Sequence, residues 1–122
     1  MFARVSHERF PREHHDAGMR NVVDVLLPAL RQAPGYRGCY VLADGKPGAI
    51  LLIALWATEE AADTASAQRD VIAAFVNLAA LGLRIESRKI YEVVAWDEIK
   101  TGVEAVNQLD DLAGTSGSDE AT

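Results

Sequence analysis

With a single cysteine, Cys39, the chain can close no internal disulfide and offers no thiolate cluster to a metal. Histidine is scarce too: His7, His14 and His15 are the only three. Adjacent side chains on a helix point about 100° apart, so His14 and His15 do not easily share one ion, and no metal or other cofactor is expected. Long apolar runs are also missing. The longest, Ala49 to Ala57, is far short of the roughly 20 residues a helix needs to cross a bilayer. The stretch Met1 to Phe10 is too polar for the core of a secretion signal. A cytoplasmic protein is expected, with no membrane partner, and a reducing compartment suits the lone thiol.

An excess of positive charge is likewise lacking. The formal net charge is −6, and it sits at one end: from Asp97 to Thr122 there are seven acids against Lys100, while the rest of the chain balances at 11 acidic and 11 basic residues. A neutral body without a Lys/Arg stripe lacks the electrostatic footprint of a nucleic-acid binder, so no nucleic-acid partner is expected.

What remains is an ordinary globular composition, 49% apolar and 25% charged over 122 residues, which fits one folded domain. Met1 to His7 alternates weakly and suits a first strand ending before Pro11. Met19, Val22, Val23, Leu26, Leu27 and Leu30 recur at three- and four-residue spacing and predict a first helix from Arg12 to Ala33-Pro34-Gly35. Pro28 inside that pattern predicts a kink or break. Tyr36 to Ala43 and Ala49 to Ala57 read as strands joined by the turn Asp44-Gly45-Lys46-Pro47-Gly48, a β-hairpin. Thr58, followed by Glu59 and Glu60, caps a second helix that runs to Leu81, with Ser66 a point where it can divide and Gly82 its C-terminal cap. Its apolar stripe includes Val71, Ile72, Phe75 and Val76. Arg88 to Trp96 is the last strand.

The order β-α-β-β-α-β predicts an α+β, ferredoxin-like fold with an antiparallel sheet over residues 1–96. Beyond it, Val103, Val106, Leu109 and Leu112 predict a short amphipathic helix, and Thr115 to Thr122 a flexible tail; together they form an acidic C-terminal segment, 97–122. Both faces of the hairpin strands are apolar, with Tyr36, Tyr40 and Leu42 on one side and Cys39, Val41 and Ala43 on the other. The two helices of this topology cover one face only. A homodimer packed sheet to sheet is the economical cover for the second face, and the C-terminal helix folding back is the alternative.

Ala33-Pro34-Gly35-Tyr36-Arg37-Gly38, the hairpin, and Leu55-Trp56-Ala57-Thr58-Glu59-Glu60-Ala61 resemble the PG…W…EA pattern of the antibiotic-biosynthesis-monooxygenase superfamily, over about Met1 to Trp96. The resemblance implies a dimeric α/β-barrel with a ligand cavity between the sheet and helices of each subunit. It also implies activities that include oxidising quinol-like or anthrone-like polyketides without metal or flavin, and degrading haem. Haem-degrading members use an asparagine on the first strand, a tryptophan, and a histidine early in the second helix. Only Trp56 matches, and Ala65 stands near the histidine position.

Against that background Trp56 is a candidate for stacking a small aromatic ligand, or else a core aromatic. Arg4 is a candidate to steady an enolate or carboxylate, or else a solvated edge charge, and Phe75 on the second helix is a third ligand-binding candidate. Tyr40 and Tyr91 offer phenols that suit a quinol oxygen, or ordinary strand packing. His7 offers an imidazole whose unperturbed pKa suits proton abstraction, as do His14 and His15. His7, Tyr40 and Tyr91 are thus the catalytic candidates. The activities they fit are cofactor-independent monooxygenation of an aromatic or quinol, binding of an apolar ligand or partner without catalysis, and haem binding.

Overall fold

The computed structural model describes residues 1–98. The helix expected at 103–112 and the tail expected at 115–122 lie outside the described residues. Strand β1 (Phe2–Arg9) runs two residues past its expected end and stops at Phe10-Pro11, where proline removes a ladder donor. A 3₁₀ turn (Arg12–His14), α1 (His15–Asn21), a π-helical stretch (Val22–Leu26) and α2 (Leu27–Arg31) then follow as one helical arm. The disruption expected at Pro28 takes the form of that π stretch. The Leu27 N–H bonds the Val22 carbonyl five residues back, so the ladder is reset one residue before the position where proline has no donor.

The hairpin is present as β2 (Tyr36–Ala43) and β3 (Ala49–Trp56), with the Lys46 N–H donating to Asp44 Oδ1 at 2.9 Å in the turn. Thr58 Oγ1 accepts the Ala61 N–H at 3.0 Å and starts α3 (Glu59–Thr64). The second helix does divide around Ser66. A 3₁₀ turn (Ala65–Ala67) and an extended Gln68 separate α3 from α4 (Arg69–Ala80). The last strand, β4 (Arg84–Glu92), begins four residues earlier than Arg88 and stops well before Trp96. Pairing with β1 sets those limits, since Arg84 lies opposite Arg9 and Glu92 opposite Phe2.

The four strands form one antiparallel sheet in the order β2-β3-β1-β4, an α+β, ferredoxin-like arrangement. Its core lies between one sheet face and the helices. Ile50, Leu52, Ala54 and Trp56 alternate along β3 and meet Phe10, Val22, Leu26 and Leu30 from the first arm and Val71, Ala74 and Leu78 from α4. The stripe expected on α4 is only partly buried: Ile72 and Val76 stay exposed.

The three parts of the PG…W…EA pattern come together in space. Gly35, at φ +83°, accepts the Ala57 N–H at 2.7 Å, and a Cβ on it would stand 2.7 Å from the Ala61 Cβ. Next to it the Tyr36 ring meets Trp56 edge-on, with centroids 5.4 Å apart and planes at 70°. The pattern is therefore a packing unit that anchors the start of β2 against the end of β3 and the first turn of α3.

A bulge between Tyr36 and Gly38 changes the expected alternation. Tyr36 pairs with Trp56 and turns to the helix side, whereas Tyr40 pairs with Ile53 on the other side, so the two tyrosines do not share a face. The face that no helix among the described residues covers carries Val5, Leu51, Ile53 and Leu55 with Tyr40, Leu42 and Tyr91. The last three are 50%, 43% and 49% exposed.

Candidate functional site

Strand β1 sends Arg4, Ser6 and Glu8 to the helix side, because residues two apart share a face. Leu52, Ala54 and Trp56 of β3 lie beside them, and Arg88 of β4 completes the sheet wall. Leu30, Ala65, Ser66, Val71 and Phe75 close the other side, leaving a narrow hollow of about 30 Å³. Arg88 stands with its guanidinium 5.6 Å from the Phe75 ring centre. Those two residues and Ser66 also line an outer groove between α4 and β4, walled by Ile72, Val76, Leu83 and Ile85.

The hollow is apolar except at a few points. Arg4 donates through one terminal nitrogen to the Ala62 carbonyl at 3.0 Å and to Ser66 Oγ at 3.5 Å. Its Nε is buried without a partner among the described residues. Burial lowers the Arg4 pKa and Arg88 lowers it further, while Asp63 opposes them. Glu8, 1% exposed, accepts the Ser6 hydroxyl on Oε2 at 2.9 Å, and its Oε1 has no partner. Burial raises the Glu8 pKa, against the opposing pulls of the Ser6 hydrogen bond and the Arg88 charge. Trp56, also 1% exposed, keeps its indole N–H unpaired.

Buried polar atoms are nearly always hydrogen-bonded, so three orphans around one hollow, two donors and one acceptor, call for an explanation. Together they are a cationic donor, a neutral donor and a carboxyl acceptor on residues of one hollow whose lining also includes the rings of Trp56 and Phe75. That set suits a ligand with a ring to stack, an oxygen to accept from Arg4 and Trp56, and a hydroxyl to donate to Glu8.

Of the residues singled out from sequence, Arg4, Trp56 and Phe75 meet at this hollow. His7, Tyr40 and Tyr91 do not: the sheet stands between them and it. The exposed His7 pairs its Nδ1 with Ser87 Oγ at 2.9 Å, and Lys89 sits 5.1 Å from the Tyr91 ring centre. His15 Nδ1 accepts the Gly48 N–H at 3.1 Å, tying the hairpin to the first helical arm, and His14 is exposed. Among the described residues no group of three or more His, Cys, Asp or Glu could hold a metal ion. No helix among them is long and apolar enough to cross a membrane. Cys39 is half-buried beside the core, and burial, with Glu8 adding to it, pushes its thiol up to about 11, as suits a packing residue.

Ser6, Glu8 and Arg88 were not singled out from sequence. The signal for two of them was there, since Arg4, Ser6 and Glu8 form a polar triplet at a two-residue period on a strand flanked by apolar ones. Nothing local marked Arg88, whose place depends on the β1–β4 register.

No family model and no curated protein matches the sequence. Solved structures do match. One from Deinococcus radiodurans, assigned as an antibiotic biosynthesis monooxygenase, superposes with a TM-score of 0.67 at 22% identity, covering 83% of this chain and 100% of that one. Another with the same assignment, from Chloroflexus aurantiacus J-10-fl, gives 0.66 at 18% identity over 81% and 98% of the two chains. SnoaB from Streptomyces nogalater, a cofactor-independent oxygenase, gives 0.61 at 16% identity over 78% and 94%. The chain thus has the fold of antibiotic biosynthesis monooxygenase proteins over most of its length, as its PG…W…EA pattern implied.

Proposed function

We propose that this chain binds a small aromatic or quinol-like molecule in the cavity between its sheet and helices and oxidises it with molecular oxygen, without a cofactor, as one half of a cytoplasmic homodimer. One observation carries the reading: Arg4 Nε, Glu8 Oε1 and Trp56 Nε1, on residues lining a single hollow, are buried with no partner among the described residues. Trp56 and Phe75 offer ring surface to the substrate. Arg4 and the Trp56 N–H are donors available to negative charge on a substrate oxygen. Electron-rich anions of this kind react with oxygen directly, so the protein's task is to form and hold the anion. The likeness in fold to SnoaB supports the same reading.

In the proposed homodimer the uncovered sheet faces meet, and His7, Tyr40 and Tyr91 belong to that contact. Since the sheet separates them from the cavity, a purely ligand-binding role is the second reading, with the orphaned atoms holding a molecule that leaves unchanged. Haem has the least support. Ala65, buried in the cavity wall, stands near the place where the family resemblance puts an axial histidine, and all three histidines lie elsewhere.

Oxygen consumption by the full-length chain, measured with a panel of anthrones and quinols, tests the proposal. Uptake that depends on substrate and falls by about a hundredfold in Arg4→Gln is the expected result, the size typical for losing one preset donor. Binding without uptake, with the ligand recovered intact, selects the second reading.

A further inference from the structure

Among the described residues Glu8 is the one carboxyl in the cavity wall, and it forms no ion pair with any of them. The arginines near it are engaged otherwise: Arg4 bonds the Ala62 carbonyl and Ser66, and Arg88 lies over the Phe75 ring. Arg9, the next residue along β1, takes Glu86 instead, at 3.1 Å. A glutamate 1% exposed, held through Oε2 by Ser6 and unpartnered at Oε1, is an acceptor fixed in place with one free oxygen. Resting on the ligand-binding reading above, we infer that Glu8 is the proton acceptor of the site, taking the proton of a phenol-type hydroxyl on the bound molecule.

In that step the O–H bond of the ligand breaks, its electron pair stays on the ligand oxygen, and a new O–H bond forms at Oε1. The site's total charge is unchanged. The carboxylate becomes neutral and the ligand becomes the anion, now facing Arg4 Nε and the Trp56 N–H. Moving the negative charge from Glu8 to the ligand relieves a buried carboxylate that has only one hydrogen bond, which is the driving force for the transfer. The groups around Glu8 agree with this direction. Ser6 on β1 and Arg88 on β4 favour the charged carboxylate only in part, burial outweighs them and raises its proton affinity, and the Cys39 thiol on β2 is itself held neutral. From the helices come Ser66 and apolar side chains. The ligand class that follows is a phenol or enol whose hydroxyl adjoins an aromatic ring.

The test uses 4-nitrophenol, whose ionised form is coloured and whose neutral form is not, with the full-length chain below the probe's own ionisation midpoint. Binding is followed by tryptophan fluorescence, ionisation by absorbance, and proton release by calorimetry in buffers of different ionisation heat. Wild type is expected to bind the probe as the coloured anion with about zero protons released per probe, because the proton stays on Glu8. In Glu8→Gln, which keeps the shape and the Ser6 contact, each ionised probe is expected to be matched by about one released proton. Wild-type binding as the neutral phenol, or as the anion with its proton released to solvent, overturns the role of Glu8 and leaves the ligand-binding reading standing. Absence of binding to both proteins overturns the two together.

Discussion

Replacing Gly35 by alanine tests whether the PG…W…EA unit is held by close approach. The residue sits at φ +83°, where a side chain costs about 1–2 kcal/mol. The new methyl would stand 2.7 Å from the Ala61 Cβ, well inside contact distance. Forcing an extra methyl into such a contact costs a further amount of about 1–3 kcal/mol. The sum, about 2–5 kcal/mol, is a large part of the 5–15 kcal/mol typical of a domain. Equilibrium urea unfolding reads it as a lower midpoint with an unchanged slope. Ala61→Gly, which alone costs about 1 kcal/mol in a helix, removes the opposing atom. The double variant should recover the steric part, giving a coupling of about 1–3 kcal/mol in the cycle. A Gly35→Ala variant within about 0.5 kcal/mol of wild type, or a strictly additive cycle, refutes the reasoning.

Glu8 also makes stability depend on pH. Its pKa is raised in the folded state by burial, so the folded chain binds the proton more tightly than the unfolded one, and stability falls as pH rises from the ordinary glutamate value of about 4.3 through the raised one. Glu8→Gln should lose that slope and be the more stable protein at the upper end; parallel curves for the two in urea midpoints across pH refute it. On the uncovered face, Ile53→Asp would bury an unpaired charge in the proposed sheet-to-sheet contact, a cost of several kcal/mol that weakens pairing by at least about a hundredfold. Light scattering should then give a dimer for wild type and a folded monomer for the variant, and a wild-type monomer rules the contact out.

Sequence by itself determined the order of elements, the hairpin turn at Asp44-Gly45, the Thr58 cap, the division of the second helix near Ser66 and the apolar second face of the sheet. These are local matters: a cap or turn bonds within a few residues, and an apolar strand is visible without its partner. The helical disruption at Pro28 was legible as well, but the π stretch that absorbs it was not, because several arrangements relieve a missing donor. Only tertiary structure decided which residues face the cavity. Strand alternation gives relative sides, and each bulge reverses them, as at Tyr36 and again where β1 meets β4 between His7 and Glu8. Plain alternation on β1 put Arg4 and Glu8 on one side and His7 on the other, the bulge after Tyr36 put Tyr40 on the side away from Tyr36, and the β1–β4 register, with Arg88 opposite Ser6 and Tyr91 opposite Ala3, brought Arg88 to the hollow and left Tyr91 beyond the sheet.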